Sequence, residues 1–303
     1  MYSLTKTQIK HFYEKGWLGP LDTFSLAKIQ PIKDYLAQNS QEVTIDGQQL
    51  RKFYNHFLGY QTTREHHLCC PSLLKILKDG RIVRRLNQLG ESNLLLWRSN
   101  IFDKLPGQEG IGWHQAINYD GQKITEELEE SKKTLIFPKN KKLLNLTVWL
   151  AIEDATLENG CLYFANGSHN YRFKEVKSSP SKGAFSFLNH EKISWQQQKS
   201  YSKVFDFNEQ EWNIEAVPAK AGQIIILTEK VMHGSPANHS SQPRIGINAR
   251  YINPSVQIYP HRKQGDYIDG VGNNIERHFS ILVSGSDDYK LNVVQANHTN
   301  PNR

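Results

Sequence analysis

Cysteine is scarce: three residues in 303, two of them adjacent at Cys69 and Cys70, do not make a disulfide framework. Met1-Tyr2-Ser3-Leu4-Thr5-Lys6 lacks the apolar core of a secretion signal, so a reducing cytoplasm is the expected compartment. No apolar run is long enough to span a bilayer, which argues against a membrane partner. Zinc-finger spacing, a basic helix and aromatic-basic interleaving are all missing, and these absences argue against a nucleic-acid module. The formal net charge of +7 fits an acidic partner instead. Internal repeats and low-complexity blocks are also lacking, and a chain of this length can bury one full core. We therefore expect a single domain over residues 1–303, with a helix-rich part (1–93), a core (94–260) and a C-terminal extension (261–303).

The most telling absence is a single carboxylate. Non-haem iron oxygenases hold Fe(II) on one face with two histidines and one carboxylate, leaving positions open for cosubstrate and oxygen. The first two ligands usually come as His-x-Asp or His-x-Glu, converging from one strand end. In Gly112-Trp113-His114-Gln115-Ala116 a methyl group stands at the carboxylate position. That substitution opens a coordination site and removes a negative charge beside a dication. A halide fills both deficits, and Ala116 leaves it room. With the rest of the site present, the expected chemistry moves from hydroxylation to halogenation.

A second histidine follows the apolar run Gly222-Gln223-Ile224-Ile225-Ile226-Leu227, in Met232-His233-Gly234-Ser235. Further on, Arg244-Ile245-Gly246-Ile247-Asn248-Ala249-Arg250-Tyr251 alternates polar and apolar residues and reads as a half-buried strand. A cosubstrate with a distal carboxylate needs a fixed cation, and the guanidinium of Arg244 offers a planar fork for it. Histidine, then arginine on the next strand, is the layout expected for iron plus 2-oxoglutarate.

Thr5 or Thr7 is placed to cap a first helix that turns Ile9, Phe12 and Tyr13 to one face and ends at Gly16. Residues 25–38 read as a second helix weakened at Pro31, and Cys70-Pro71 starts a third. From Leu94 onward, short apolar runs predict strands over 94–97, 144–152, 160–164, 223–227 and 244–251. The fold class expected is mostly β with flanking helices, around a double-stranded β-helix (jelly-roll, cupin-like) core. The polar end, residues 297–303, is expected to fray.

Other residues invite blander readings. Glu126-Glu127-Leu128-Glu129-Glu130 with Lys132, Lys133, Lys139, Lys141 and Lys142 reads as a solvated segment with locally paired charges. Its position after the His114 word also suits a lid or docking edge. His66 and His67 read as structural, and His169 as a turn residue beside the site. Trp97 and Trp149 read first as core aromatics. Asp120, six positions after His114, would need a looped return to reach a metal and is a poor ligand.

Taken in order, these words resemble the phytanoyl-CoA dioxygenase superfamily and, within it, the non-haem iron, 2-oxoglutarate-dependent halogenases. The matching words are Leu96-Trp97-Arg98, Pro106-Gly107, Glu109-Gly110, Trp113-His114-Gln115-Ala116, Thr147-Val148-Trp149 and Asn159-Gly160-Cys161-Leu162. Lys220-Ala221-Gly222-Gln223, Met232-His233 and Arg250-Tyr251 continue the series, and the likeness weakens after Pro260. The resemblance implies that His114 and His233 bind iron and that Arg244 pairs with the distal carboxylate of 2-oxoglutarate. It places Thr147 and Trp149 with the cosubstrate, and Arg250 near the halide beside Ala116. The halogenases carry an acid where this chain has Asn100, so the polar network around the halide and the substrate pocket are expected to differ there. Implied cofactors are Fe(II), 2-oxoglutarate, chloride and O2. The implied substrate is of amino-acid type, held as a thioester on a phosphopantetheinyl carrier protein. A hydroxylase with a substituted ligand set is the first alternative, separable by chloride dependence. A metal-free jelly-roll binding protein is the second, and it would show no Fe(II) binding.

Overall fold

Thr5 caps the first helix, α1 (Lys6–Lys15): its hydroxyl accepts from Gln8 N, and the Gln8 side chain accepts from Thr5 N in return. Gly16 ends that helix at φ 85°, a left-handed value that suits glycine. Helix α2 (Leu26–Gln38) continues through Pro31, and α3 (Pro71–Leu77) starts at the expected proline. A further helix, α4 (Gly80–Gln88), escapes the pattern reading because it opens on glycine and carries three arginines around its buried Ile82, Val83 and Leu86. The front of the chain, expected to be helix-rich, also carries short strands at Ser40–Ile45, Gln48–Asn55 and Tyr60–Gln61. The computed structural model describes residues 2–45, 48–116, 134–176, 186–187, 191–192, 204–260 and 275–295. Asp120, the 126–130 acidic run, Lys132, Lys133 and the 297–303 end lie outside the described residues.

Eleven strands build two sheets: β1 (Trp17–Leu21), β2 (Leu94–Lys104), β3 (Ile111–His114), β4 (Leu146–Ala151), β5 (Leu162–Ala165), β6 (Ile214–Val217), β7 (Ile224–Thr228), β8 (His233–Ser235), β9 (Arg244–Ile252), β10 (Ser280–Ser284) and β11 (Val294–Gln295). The larger sheet has seven strands in the order β1-β7-β4-β9-β2-β10-β11, and the smaller has four in the order β6-β5-β8-β3. Pairing is antiparallel throughout, except between β10 and β11. Crossovers between distant strands give the mostly-β, double-stranded β-helix architecture. Strands β10 and β11, beyond the region of resemblance, extend the large sheet past β2.

Side chains alternate across the large sheet. Leu94, Leu96, Val148, Leu150, Ile224, Ile226, Ile245, Ile247 and Tyr251 join the apolar cluster that includes Ile29, Ile32, Leu73 and Leu86 of the helices. On the opposite face Trp149, Ala151, Ile225 and Leu227 meet Leu162 and Phe164 of the small sheet. The alternation in β9 predicts a half-buried strand, and here the structure differs: both faces are covered. Its apolar residues pack toward the helices, whereas Arg244, Asn248 and Arg250 line a cavity. The polar face is polar because it lines that cavity. Among the described residues, no helix is long and apolar enough to cross a membrane.

Candidate active site

Between the sheets lies a cavity lined by His114, Ala116, Thr147, Trp149, His233, Ser235, Arg244, Asn248 and Arg250, with Phe102, Ile111, Leu162 and Leu227 as apolar walls. Strands β3 and β8 pair His114 directly with His233, and the two ring centroids stand 4.2 Å apart. Each imidazole is oriented by its own backbone. His114 Nδ1 lies 2.8 Å from Gly112 O, and His233 Nδ1 lies 2.9 Å from Val231 O. A carbonyl only accepts, so each Nδ1 carries the proton and each Nε2 keeps its lone pair. Fixing the tautomer through the outer nitrogen is how metal-ligating histidines are held. Burial lowers both pKa values, furthest for His233, and the Arg250 charge lowers them again. Two neutral imidazoles side by side suit a cation better than a proton.

Gln115 turns away from the cavity and holds the strand end in place. Its amide nitrogen donates to Tyr171 O at 3.0 Å and Lys230 O at 2.6 Å, and its oxygen accepts from Phe173 N at 3.3 Å. Ala116 N then donates to Glu229 O at 2.8 Å, which places the methyl group at the cavity wall. Among the described residues, no group of three or more His, Cys, Asp or Glu side chains has a metal-holding arrangement. The two histidines fit two positions of a metal's coordination sphere.

Deeper along β9, Arg244 is 1 % exposed. Its Nη2 donates to Gly160 O at 2.9 Å and to Ser235 Oγ at 2.8 Å, while its Nε is buried without a hydrogen-bond partner. Its guanidinium carbon lies 5.8 Å from the Trp149 ring centroid. An orphaned donor on a buried cation fits a bound carboxylate. Burial pulls the Arg244 pKa down to about 10, still charged at neutral pH. Trp149 can cross the strand here because position 246 is glycine; a Cβ there would stand 2.5 Å from the indole Nε1.

Thr147 and Trp149, assigned to the cosubstrate, both line the cavity, opposite Arg250 and Asn248 in the β4–β9 register. Arg250 lines it as well. Asn100 is not brought to the cavity wall; it accepts from Thr63 Oγ1 at 2.7 Å and pairs across the strands with Asn248. Trp97 is buried in a separate apolar cluster. His66 and His67 hydrogen-bond to Tyr35, Thr62 and Ser99, as structural residues would. His169 does not line the cavity: its Nε2 meets Tyr13 O at 3.0 Å.

Glu229, Asn248 and Ser235 line the cavity and were not singled out in the sequence. Continuing the alternation Ile225, Leu227, Glu229 would have found the first, and the β9 alternation the second. Burial drives the Glu229 carboxyl up to about 7, and its Oε2 accepts from Asn145 N at 3.1 Å and Thr228 Oγ1 at 3.2 Å.

The family signature for phytanoyl-CoA dioxygenase matches residues 25–246, and the chain belongs to this family of Fe(II)- and 2-oxoglutarate-dependent oxygenases. It is 22 % identical to the methylphosphonate hydroxylase of Gimesia maris over 252 residues, which cover 82 % of this chain and 81 % of that protein. A phytanoyl-CoA dioxygenase domain-containing protein 1 homolog of Caenorhabditis briggsae is 30 % identical over 190 residues, 55 % of this chain and 60 % of that one. The structure of CytC3 with Fe(II) and alpha-ketoglutarate superposes with a TM-score of 0.65 at 22 % identity, over 97 % of this chain and 94 % of that one. The epimerase SnoN from nogalamycin biosynthesis superposes with a TM-score of 0.56 at 14 % identity, over 84 % of each chain. At these identities the superpositions establish the fold alone.

Proposed function

We propose that the protein is an Fe(II)-, 2-oxoglutarate- and O2-dependent halogenase that chlorinates an unactivated aliphatic carbon of an amino-acid-type substrate. The observation that carries this reading is Ala116, a methyl group two residues after His114 at the cavity wall. Iron and 2-oxoglutarate, once bound, supply an oxidant able to take hydrogen from such a carbon. His114 and His233 hold the metal through Nε2, kept neutral by burial. Arg244 and Ser235 receive the distal carboxylate beside Trp149. Arg250 balances the charge of a halide seated beside Ala116, and its guanidinium is already close enough to depress both imidazoles. Phe102, Ile111, Leu162 and Leu227 exclude water from the reacting carbon.

The substrate is proposed to arrive on a carrier protein. Supporting this are the exposed Lys139, Lys141 and Lys142 and the net positive charge of the chain, which suit an acidic partner. A hydroxylase with a substituted ligand set is the second reading, favoured by the likeness to methylphosphonate hydroxylase. Incubation with Fe(II), 2-oxoglutarate, O2 and chloride against free and carrier-bound amino acids, read by mass spectrometry, separates the two. A chlorinated product supports halogenation, and a hydroxylated product formed equally without chloride overturns it.

A further inference from the structure

Behind the cavity wall lies a second buried cation, Lys104, that the proposed chemistry has not used. The β2–β9 register sets Lys104 opposite Arg244, and Lys104 is 2 % exposed. Its ammonium donates to Ser235 Oγ at 2.6 Å, to Ser235 O at 3.2 Å and to Pro236 O. All of these acceptors are neutral. Neither Lys104 nor Arg244 forms an ion pair with a described carboxylate. Two buried cations without an ion pair are costly, and burial together with the Arg244 charge pushes the Lys104 pKa well below its ordinary value. Asp103, acting on Arg244, and Glu109, acting on Lys104, offset only part of this.

The two cations also share one hydroxyl. Ser235 Oγ accepts from Lys104 Nζ at 2.6 Å and from Arg244 Nη2 at 2.8 Å, and donates to Gly160 O at 2.9 Å. With both lone pairs taken, the hydroxyl can serve a bound acceptor only by turning its proton away from Gly160 O, which keeps its donor from Arg244. Position 160 is built around this arrangement: its φ is +83°, and a Cβ there would collide with Pro236 O and stand 2.8 Å from Lys104 Nζ. Room for the ammonium is thus set by the Asn159-Gly160-Cys161 turn.

We propose that Lys104 is a positioning residue for the distal carboxylate of the 2-oxo acid, acting through Ser235 and through its charge beside Arg244. The proposal rests on reading the cavity as an iron and 2-oxo-acid site. Lys104 does not line the cavity, so it acts behind the two groups that do. It makes the wall selective for a dianion over a 2-oxo acid without a distal charge.

The test is an anaerobic titration of the Fe(II)-loaded protein with 2-oxoglutarate and with 2-oxopentanoate, which has the same chain length and no distal carboxylate. The metal-to-ligand charge-transfer absorption of the Fe(II)–2-oxo-acid chelate is followed. In Lys104→Gln the Kd for 2-oxoglutarate should rise at least ten-fold, with that for 2-oxopentanoate within two-fold of wild type. Equal weakening of both acids would show a merely structural role, and discrimination reduced less than three-fold would leave Lys104 without one; either overturns the proposal. Should Lys104→Gln fail to fold, Lys104→Met, which keeps an extended side chain without the charge, carries the test on the same thresholds. Absence of the band in wild type would instead overturn the underlying reading of the cavity.

Discussion

His114 and His233 approach so closely, with Nδ1 of each already committed to a carbonyl, that removing either ring leaves one metal-facing nitrogen where two stood. His114→Ala or His233→Ala should therefore lower Fe(II) affinity by more than the ~10–100-fold typical of losing an outer hydrogen-bond partner. Equilibrium dialysis measures this. A second prediction concerns Glu229, whose carboxyl is raised from 4.5 to about 7 in the folded protein. An acid raised in this way contributes stability that is fully present below pH 4.5 and is lost as pH rises through 7. In metal-free protein, Glu229→Gln should remove that loss, worth about 3 kcal/mol at saturation. The Tm difference between variant and wild type should grow from about pH 5 to 7 and then level off; a difference independent of pH would refute it. His114, Ala116, His233 and Arg244 were legible because each sits in a short word with a fixed neighbour. Lys104 was not, since a lysine in a strand reads as solvated until its opposite residue is known.

Among the elements, β9 does most to shape the site, with one face in the apolar core and the other carrying Arg244, Asn248 and Arg250. Its alternation was readable, but whether the polar face met water or a cavity depended on β3, β5 and β8 closing over it. Strand β1 and the Ser40–Asn55 pair were hidden, the first by Gly19-Pro20 within five residues and the second by mostly polar composition. Helix α4 was hidden by its arginines. Gly246 ties the strand to the site by admitting the Trp149 indole across its backbone. Gly246→Ala should destabilise the fold by about 1–3 kcal/mol, as overpacked cores do. It should also weaken 2-oxoglutarate binding, because the displaced indole forms part of the cavity wall. Urea denaturation and the charge-transfer titration measure the two effects, and an unchanged denaturation midpoint would contradict the packing.

Across the whole molecule, the two-sheet architecture and the cavity between the sheets follow from patterning that runs from β2 to β9. The substrate's route to it depends on features that pattern cannot supply. Lys139, Lys141 and Lys142 are exposed, with Lys141 Nζ 2.7 Å from Tyr289 Oη. Replacing all three by serine should slow reaction with an aminoacyl carrier protein about ten-fold at low salt while leaving a free amino acid unaffected, since exposed charges act on encounter rate. Initial rates at increasing ionic strength measure it, and equal rates for both proteins at low salt would remove the docking role.

The central claim is that a halide takes the place vacated at position 116. It is tested most directly by titrating chloride into the anaerobic Fe(II)–2-oxoglutarate complex of wild type and of Ala116→Asp while following the charge-transfer band. In wild type the band should shift saturably with chloride. In Ala116→Asp, where a carboxylate holds the site and repels the anion, it should form but not respond, and chlorination should be lost. A wild-type band indifferent to chloride, or an Ala116→Asp protein that still chlorinates, would contradict the account.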